Sequence, residues 1–248
     1  AIDEARLRAA ITPRTKALFI SYPNNPTGAI MEKEDLEKLV PIILEHDLLV
    51  ITDEIYSELT YGGKNHFSIA ALPGIKERCI YVNGFSKAFA MTGWRLGYAG
   101  GPQWLIAAMQ ILQSQSTSNP SSISQAAAVA ALNHSANFFD GWLNVLDKRR
   151  QQVLGMIAAT DGLSATAPQG AFYVFANCQA LMGRMTPGGE ILRNDSALAN
   201  WLLEQTQVAV LHGSAFGMPG YLRIAYAIED GLLTQACQRI AGACAQLR

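Results

Sequence analysis

Three short apolar runs without polar interruption recur along the first third of the chain: Ala17–Ser21 (ALFIS), Leu48–Thr52 (LLVIT) and Cys79–Asn83 (CIYVN). Continuous apolar runs, unlike alternating ones, are the pattern of strands covered on both faces of a parallel sheet. Arg95–Gly100 (RLGYAG) reads as a fourth strand. Between the first two runs, Leu36, Leu39, Val40, Ile43 and Leu44 fall at helical spacing, which predicts a helix over Glu32–Glu45. Strand, helix and strand in this order predict a βαβ crossover and an α/β sheet. In such sheets ligands gather at the carboxyl ends of the strands, here just after Ser21, Thr52 and Asn83.

The second half changes character. Ser121–Leu132 is alanine-rich and helical, and Asn137–Ala159 reads as a longer helix carrying Leu143, Leu146, Val153, Leu154 and Ile157. A strand at Ala171–Ala176, a Gly/Pro-rich loop at Gly183–Gly189 and a helix at Ser196–Gln205 follow. Strands at Val208–Leu211 and Tyr221–Ala227 and an amphipathic helix running to Arg248 complete the pattern. This predicts a small α+β domain over residues 146–248, joined by the long helix to a sheet domain over residues 1–145. Trp94 and Trp201 are read as core side chains.

Composition narrows the classes. Half of the residues are hydrophobic and 16% are charged, against about 25% charged in an average soluble domain. The net charge of −1 offers no general attraction to nucleic acid or an anionic membrane. No apolar run reaches the roughly 18 residues of a spanning helix, and Glu45, His46 and Asp47 interrupt the best candidate, Leu39–Ile51. The N-terminus is charged from its third residue and lacks a signal-peptide stretch. Cys79, Cys178, Cys237 and Cys244 form no C-x-x-C pair, so free buried thiols and a cytoplasmic setting are expected. His46, His66, His134 and His212 show no ligand spacing, so no metal site is expected. Gly213–Gly217 is not a nucleophile elbow, and neither a dinucleotide fingerprint nor a P-loop occurs.

Charged and polar residues stand at each strand end. Tyr22–Gly28 (YPNNPTG) follows the first strand, Asp53–Tyr56 (DEIY) the second, and Gly84–Lys87 (GFSK), with Gly93-Trp94-Arg95 beyond it, the third. Singly, each reads as a turn, a cap, a surface lysine or an ordinary ion pair. Together they lie in order along one ligand-binding edge. A lysine there can form a Schiff base with an aldehyde cofactor, of which pyridoxal phosphate is the common one. A carboxylate such as Asp53 would keep that cofactor's pyridine nitrogen protonated. Asn25 and Tyr56 can donate to its phenolic oxygen, and the planar fork of Arg95 suits its phosphate.

These strings, NNPTG (Asn24–Gly28), DEIY (Asp53–Tyr56) and SKAFAMTGWRLG (Ser86–Gly97), resemble those of the fold-type I pyridoxal-phosphate aminotransferases of class I/II, in the prokaryotic aspartate aminotransferase branch. YLRIAY (Tyr221–Tyr226) is similar to the segment whose arginine clamps the substrate α-carboxylate, so the resemblance runs from about Thr15 to the C-terminus. It implies that Lys87 binds the cofactor and shuttles the proton between substrate Cα and the cofactor. Asp53 would pair with the pyridinium, Tyr56 and Asn25 with the phenolic oxygen, Arg95 with the phosphate, and Arg223 with the amino-acid carboxylate. Many members carry Ser three residues before the lysine, where this chain has Gly84; Ser86 is the residue that could replace that contact.

The resemblance also implies amino-acid and 2-oxo-acid substrates and a homodimer, with the Ser116–Ser121 loop as a segment that could reach a neighbour. In the family, earlier strands, a helix-N-terminal phosphate cradle and a ring that stacks on the pyridine all precede the NNPTG segment. Their absence here makes the chain an expected C-terminal portion, inactive alone. Two other readings stay open: a β-lyase or decarboxylase on the same scaffold, and a non-catalytic ligand-sensing domain.

Overall fold

The computed structural model describes residues 2–133 and 138–248. His134 and the expected helix start at Asn137 lie outside the described residues. The chain forms two compact units, Ala1–Asn24 with Ala29–Gly141, and Asn25–Gly28 with Trp142–Arg248.

In the first unit, helix α1 (Glu4–Ala10) is capped by Asp3, whose carboxylate accepts from the Arg6 N–H at 2.8 Å. Strands β1 (Ala17–Ser21), β2 (Leu49–Asp53), β3 (Cys79–Gly84) and β4 (Gly97–Gly100) form one sheet in the order β1-β2-β3-β4. The first three are mutually parallel, as the βαβ pattern predicts, while β4 runs antiparallel to β3. The crossover is not one helix. Pro41 has no N–H and its ring crowds the preceding turn, so the segment splits into α2 (Lys33–Glu37) and α3 (Val40–Glu45). Leu36, Leu39 and Ile43 still pack with Ile20, Val50 and Cys79 in one cluster.

Coverage of the sheet is one-sided, contrary to the expectation from the continuous apolar runs. The clustered helices take one face, while Phe19 is 63% exposed and all of β4 is open. Arg95 does not begin the fourth strand: it ends a 3-10 turn (Thr92–Trp94) in a left-handed conformation, and Trp94 is 44% exposed rather than core. Two helices follow, α4 (Gln103–Ser114) and α5 (Ser122–Asn133), and α4 was not anticipated from the sequence. Helix α6 (Phe138–Ala158) leads into the second unit.

The second unit packs Leu146, Val153 and Ile157 of α6 into its interior. Its antiparallel sheet has the order β5-β7-β6, from β5 (Tyr173–Asn177), β6 (Leu211–His212) and β7 (Tyr221–Ala225). Helices α7 (Asp195–Thr206) and α8 (Asp230–Cys244) flank it, and Trp201 is buried as expected. The strand expected from Val208 shrinks to two residues. Gln207 caps α7 in the left-handed region and the Val208 N–H bonds to the Thr206 hydroxyl, which delays the start of pairing.

Candidate functional site

The first unit carries five of the predicted site residues on two adjacent strand ends and the turn beyond them. Asp53 closes β2 beside Val82 of β3, half-buried, and its Oδ1 accepts from the Ile55 N–H at 3.2 Å. That bond closes a turn after β2, and Tyr56, three residues after Asp53, is buried. Gly84 ends β3 opposite Gly97. A Cβ added there would lie 3.0 Å from Gly97 Cα and 3.1 Å from Leu96 O. This close approach of β3 and β4 favours glycine at position 84.

Beyond Gly84, Ser86 and Lys87 are half-buried in a turn closed by the Ala90 N–H on Lys87 O (3.2 Å) and the Met91 N–H on Phe85 O (3.2 Å). Ala90 and Arg95 both have positive φ, +53° and +52°. For residues with a Cβ that conformation costs about 1 kcal/mol each. Strain at two positions around one lysine is the kind of local cost that accompanies a site. Arg95 is exposed, with Nη1 donating to Thr92 O at 2.8 Å, an anchor that leaves most of its fork toward solvent.

The second unit brings Asn25 and Arg223 together although they are 198 residues apart: Arg223 Nη1 donates to Asn25 Oδ1 at 2.8 Å. The guanidinium lies over two rings, Tyr173 of β5 at 4.5 Å and Phe216 at 5.1 Å. Its Nε is buried without a hydrogen-bond partner. A buried donor with no acceptor is costly, and a carboxylate would satisfy it.

Two buried carboxylates were not singled out in the sequence. Glu54, 1% exposed, accepts from Thr52 Oγ1 (2.9 Å) and Ser68 Oγ (2.7 Å) and meets His66 Nε2 at 2.5 Å, which fixes the chain after β2 to residues 66–68. Asp195, also 1% exposed, accepts from Ser214 N (2.8 Å), Ser214 Oγ (2.7 Å) and Gly220 N (3.2 Å). Burial pushes the Asp195 carboxyl up, but the hydrogen bonds from Ser214 and Gly220 outweigh it and hold the group below its ordinary value. The only local signal was the Asn194-Asp195-Ser196 string at a helix start, which reads as a cap. Among the described residues no group of three His, Cys, Asp or Glu could hold a metal ion. All four cysteines are free and buried.

The profile of the family described as Aminotransferase class I and II matches residues 1–240. The chain belongs to the class I and II aminotransferases. It is 45% identical over 244 residues to an aspartate aminotransferase of Rhizobium meliloti (strain 1021), covering 98% of this chain and 60% of that protein. An aspartate/prephenate aminotransferase of Cereibacter sphaeroides is 41% identical over 244 residues, with 98% and 61% covered. Among solved structures, the R. meliloti aspartate aminotransferase superposes with a TM-score of 0.96 at 43% identity, covering all of this chain and 62% of that one. The Thermus thermophilus aspartate aminotransferase with maleate gives 0.87 at 42%, covering 98% and 60%. The chain thus spans about three-fifths of the length of these relatives.

Class I and II aminotransferases depend on pyridoxal phosphate. The donor set of the first unit fits that group. Asp53 and the Lys87 turn leave the sheet at the same edge, Tyr56 and Ser86 are nearby in sequence, and the backbone carrying Arg95 is held in a strained conformation. The unpartnered Arg223 Nε likewise fits a carboxylate.

Proposed function

We propose that the full-length protein is a pyridoxal-phosphate aminotransferase that moves an amino group between an L-amino acid and a 2-oxo acid, with aspartate as the first donor to test. The observation that carries this reading is the lysine, carboxylate and arginine set at the ends of adjacent strands in one sheet. The Arg223–Asn25 pair of the second unit supports it. The relatives' names support aspartate, and a relative bound to maleate, a four-carbon dicarboxylate, is in keeping with that choice. A neighbour named as an aromatic aminotransferase at 38% identity keeps aromatic donors in the assay.

When bound, the cofactor supplies an electron sink for the carbanion at substrate Cα. Lys87 Nζ would hold the cofactor and would act as the base that takes up and returns the substrate Cα proton. Asp53 would keep the pyridine nitrogen protonated. Tyr56 and Asn25 would donate to the phenolic oxygen, Arg95 and Ser86 would hold the phosphate, and Arg223 would orient the substrate through its α-carboxylate.

The same reading treats residues 1–145 as part of the larger cofactor-binding domain and 146–248 as the small domain. It takes the working form to be a cytoplasmic homodimer that binds neither nucleic acid nor membrane. Among the described residues no helix is long and apolar enough to cross a membrane. The 248 residues alone would bind cofactor weakly and turn over nothing. The test is a half-reaction on the full-length protein: each amino acid is added singly and conversion of the bound cofactor is followed by visible absorbance. Conversion by aspartate supports the reading. Loss of carbon dioxide or of a β-substituent instead would mean a decarboxylase or lyase, and binding without conversion a sensor.

A further inference from the structure

We infer that Asp195 is a positioning residue for carboxylate recognition: it fastens the loop that lays the Phe216 ring over the Arg223 guanidinium. This rests on the reading of Arg223 as the group that takes the substrate carboxylate.

The two rings that lie against Arg223 are held by different means. Tyr173 belongs to β5 and pairs with Ala225 of β7, so the sheet that carries Arg223 also fixes this ring. Phe216 does not lie in the sheet. It ends a 3-10 turn (Gly213–Phe216) in the connection between β6 and β7. Inside that connection the turn is closed by the Gly217 N–H on Ser214 O (3.1 Å) and the Met218 N–H on Gly213 O (3.0 Å). These bonds set the shape of the loop but not where it sits.

Its seat comes from Asp195, beside one backbone bond at its end, the Cys178 N–H on Gly220 O (2.9 Å). Oδ2 accepts from the N–H of Ser214, near the start of the loop, and from the N–H of Gly220, at its end, while Oδ1 accepts from Ser214 Oγ. One buried carboxylate on the first residue of α7 therefore ties down both ends of the segment carrying Phe216. The packing leaves little room for other seats: a Cβ on Gly213 would lie 2.2 Å from Met218 O, and one on Gly220 2.5 Å from Gln179 Cγ. Phe216 also meets Phe175 edge-on at 6.1 Å, and Phe175 stacks on Tyr221 at 4.8 Å, which carries the order toward β7.

The physical consequence concerns the guanidinium. An arginine held against two rings keeps its plane fixed and is partly shielded from water. Its edge donors are then oriented before a carboxylate arrives, and less freedom is lost on binding. If the loop drifts, the Phe216 ring leaves and the guanidinium regains water and motion. Affinity for a carboxylate then falls, while cofactor affinity, which rests mostly on Lys87, Asp53, Tyr56 and Arg95 of the first unit, does not.

The experiment compares wild type, Asp195→Asn, Phe216→Leu and Arg223→Ala in the full-length, cofactor-loaded protein. Asp195→Asn removes the charge and sets an NH2 donor where Oδ1 accepts from Ser214 Oγ and the Ser196 N–H, so the amide cannot keep all of the carboxylate's bonds. Three quantities are read: the Kd for maleate, the Kd for pyridoxal phosphate, and amide hydrogen exchange at Ser214 and Gly220. We expect Asp195→Asn to raise the maleate Kd about tenfold, to leave the cofactor Kd within about twofold, and to speed exchange at both amides. Phe216→Leu should reproduce the maleate loss without the faster exchange. Wild-type maleate affinity in Asp195→Asn, with exchange accelerated and Arg223→Ala defective, would overturn the inference and leave the Arg223 reading standing. If Asp195→Asn does not fold, Phe216→Leu decides, and unchanged maleate affinity there overturns the inference. Unchanged maleate affinity in Arg223→Ala would remove the underlying reading, and the inference with it.

Discussion

Helices α4 and α7 are both twelve residues long, yet α7 buries six of its side chains and α4 buries none. The contrast runs against composition, because α4 (QWLIAAMQILQS) is the more apolar of the two. Trp104, Ile111 and Leu112 of α4 are exposed, Leu112 at 73%, whereas Leu198, Trp201 and Leu202 of α7 are interior. Burial is decided by what a helix has to pack against, and α7 has both the 213–220 loop and α8. The second unit closes around its own core. The first closes only one face of its sheet and leaves apolar side chains on β1 and α4 in water, an arrangement that soluble surfaces rarely keep over a large patch.

The first unit carries most of the proposed cofactor contacts and the second carries Arg223 with Asn25, and variants can separate these roles. The largest effect is expected at Lys87: Lys87→Ala in the full-length protein should lose the visible absorbance of bound cofactor, and borohydride should no longer fix cofactor to the chain. An unchanged spectrum would sink the assignment. Next, Asp53→Ala should lower the rate ~10³-fold, about 4 kcal/mol of barrier. A loss of less than tenfold in a folded protein would leave Asp53 as the cap of the Ile55 turn only. Arg223→Lys keeps the charge and loses the fork, so amino-acid affinity should fall roughly tenfold or more while cofactor affinity holds. Equal loss of both would erase the division between the units.

Smaller effects sharpen the comparison of cores. Leu202→Ala in α7 should cost about 2–5 kcal/mol in urea unfolding, whereas Leu112→Ser in α4 should stay within about 0.5 kcal/mol. A large cost at Leu112 would show that α4 is packed in solution. The least effect is a pH dependence confined to the second unit. An unfolded aspartate titrates near ~3.9, and the folded Asp195 lies lower. Its contribution is therefore fully present above the unfolded value and is lost as pH falls through the folded one. Between pH 5 and 3 the urea midpoint of wild type should drop further than that of Asp195→Asn. Parallel drops would mean that Asp195 keeps no advantage for its charged form.

The strands and the residues at their ends were legible because both signals are local. A continuous apolar run ends, and a charged residue follows within a few positions, as at Thr52-Asp53 and Asn83 to Lys87. Pro41 was equally legible as a break inside the helical pattern, and the apolar spacing across it obscured that. Helix α4 was harder, since Pro102 stands at its N-cap without a side-chain hydrogen bond and no acidic residue marks its first turn. The seats of Glu54 and Asp195 could not be read at all. Apart from Thr52 beside Glu54, the partners that seat them lie 12 to 14 and 19 to 25 residues away, and no local pattern signals a hydrogen bond that only the folded chain brings together.

The Asn25–Arg223 hydrogen bond sets an order of events during synthesis. Asn25 leaves the ribosome 198 residues before its partner, and at about 5–20 residues per second that interval is roughly 10–40 s. Until Gln169 and Gly170 emerge, well before Arg223, the Asn25–Gly28 peptide has no N–H to bond with the Gly28 carbonyl. The strands β1, β2 and β3, by contrast, can pair as soon as Gly84 has emerged. A nascent chain can therefore hold Asp53 and Lys87 in place while its carboxylate clamp does not yet exist. That interval is when a holding chaperone or a protease would find the NNPTG turn unprotected.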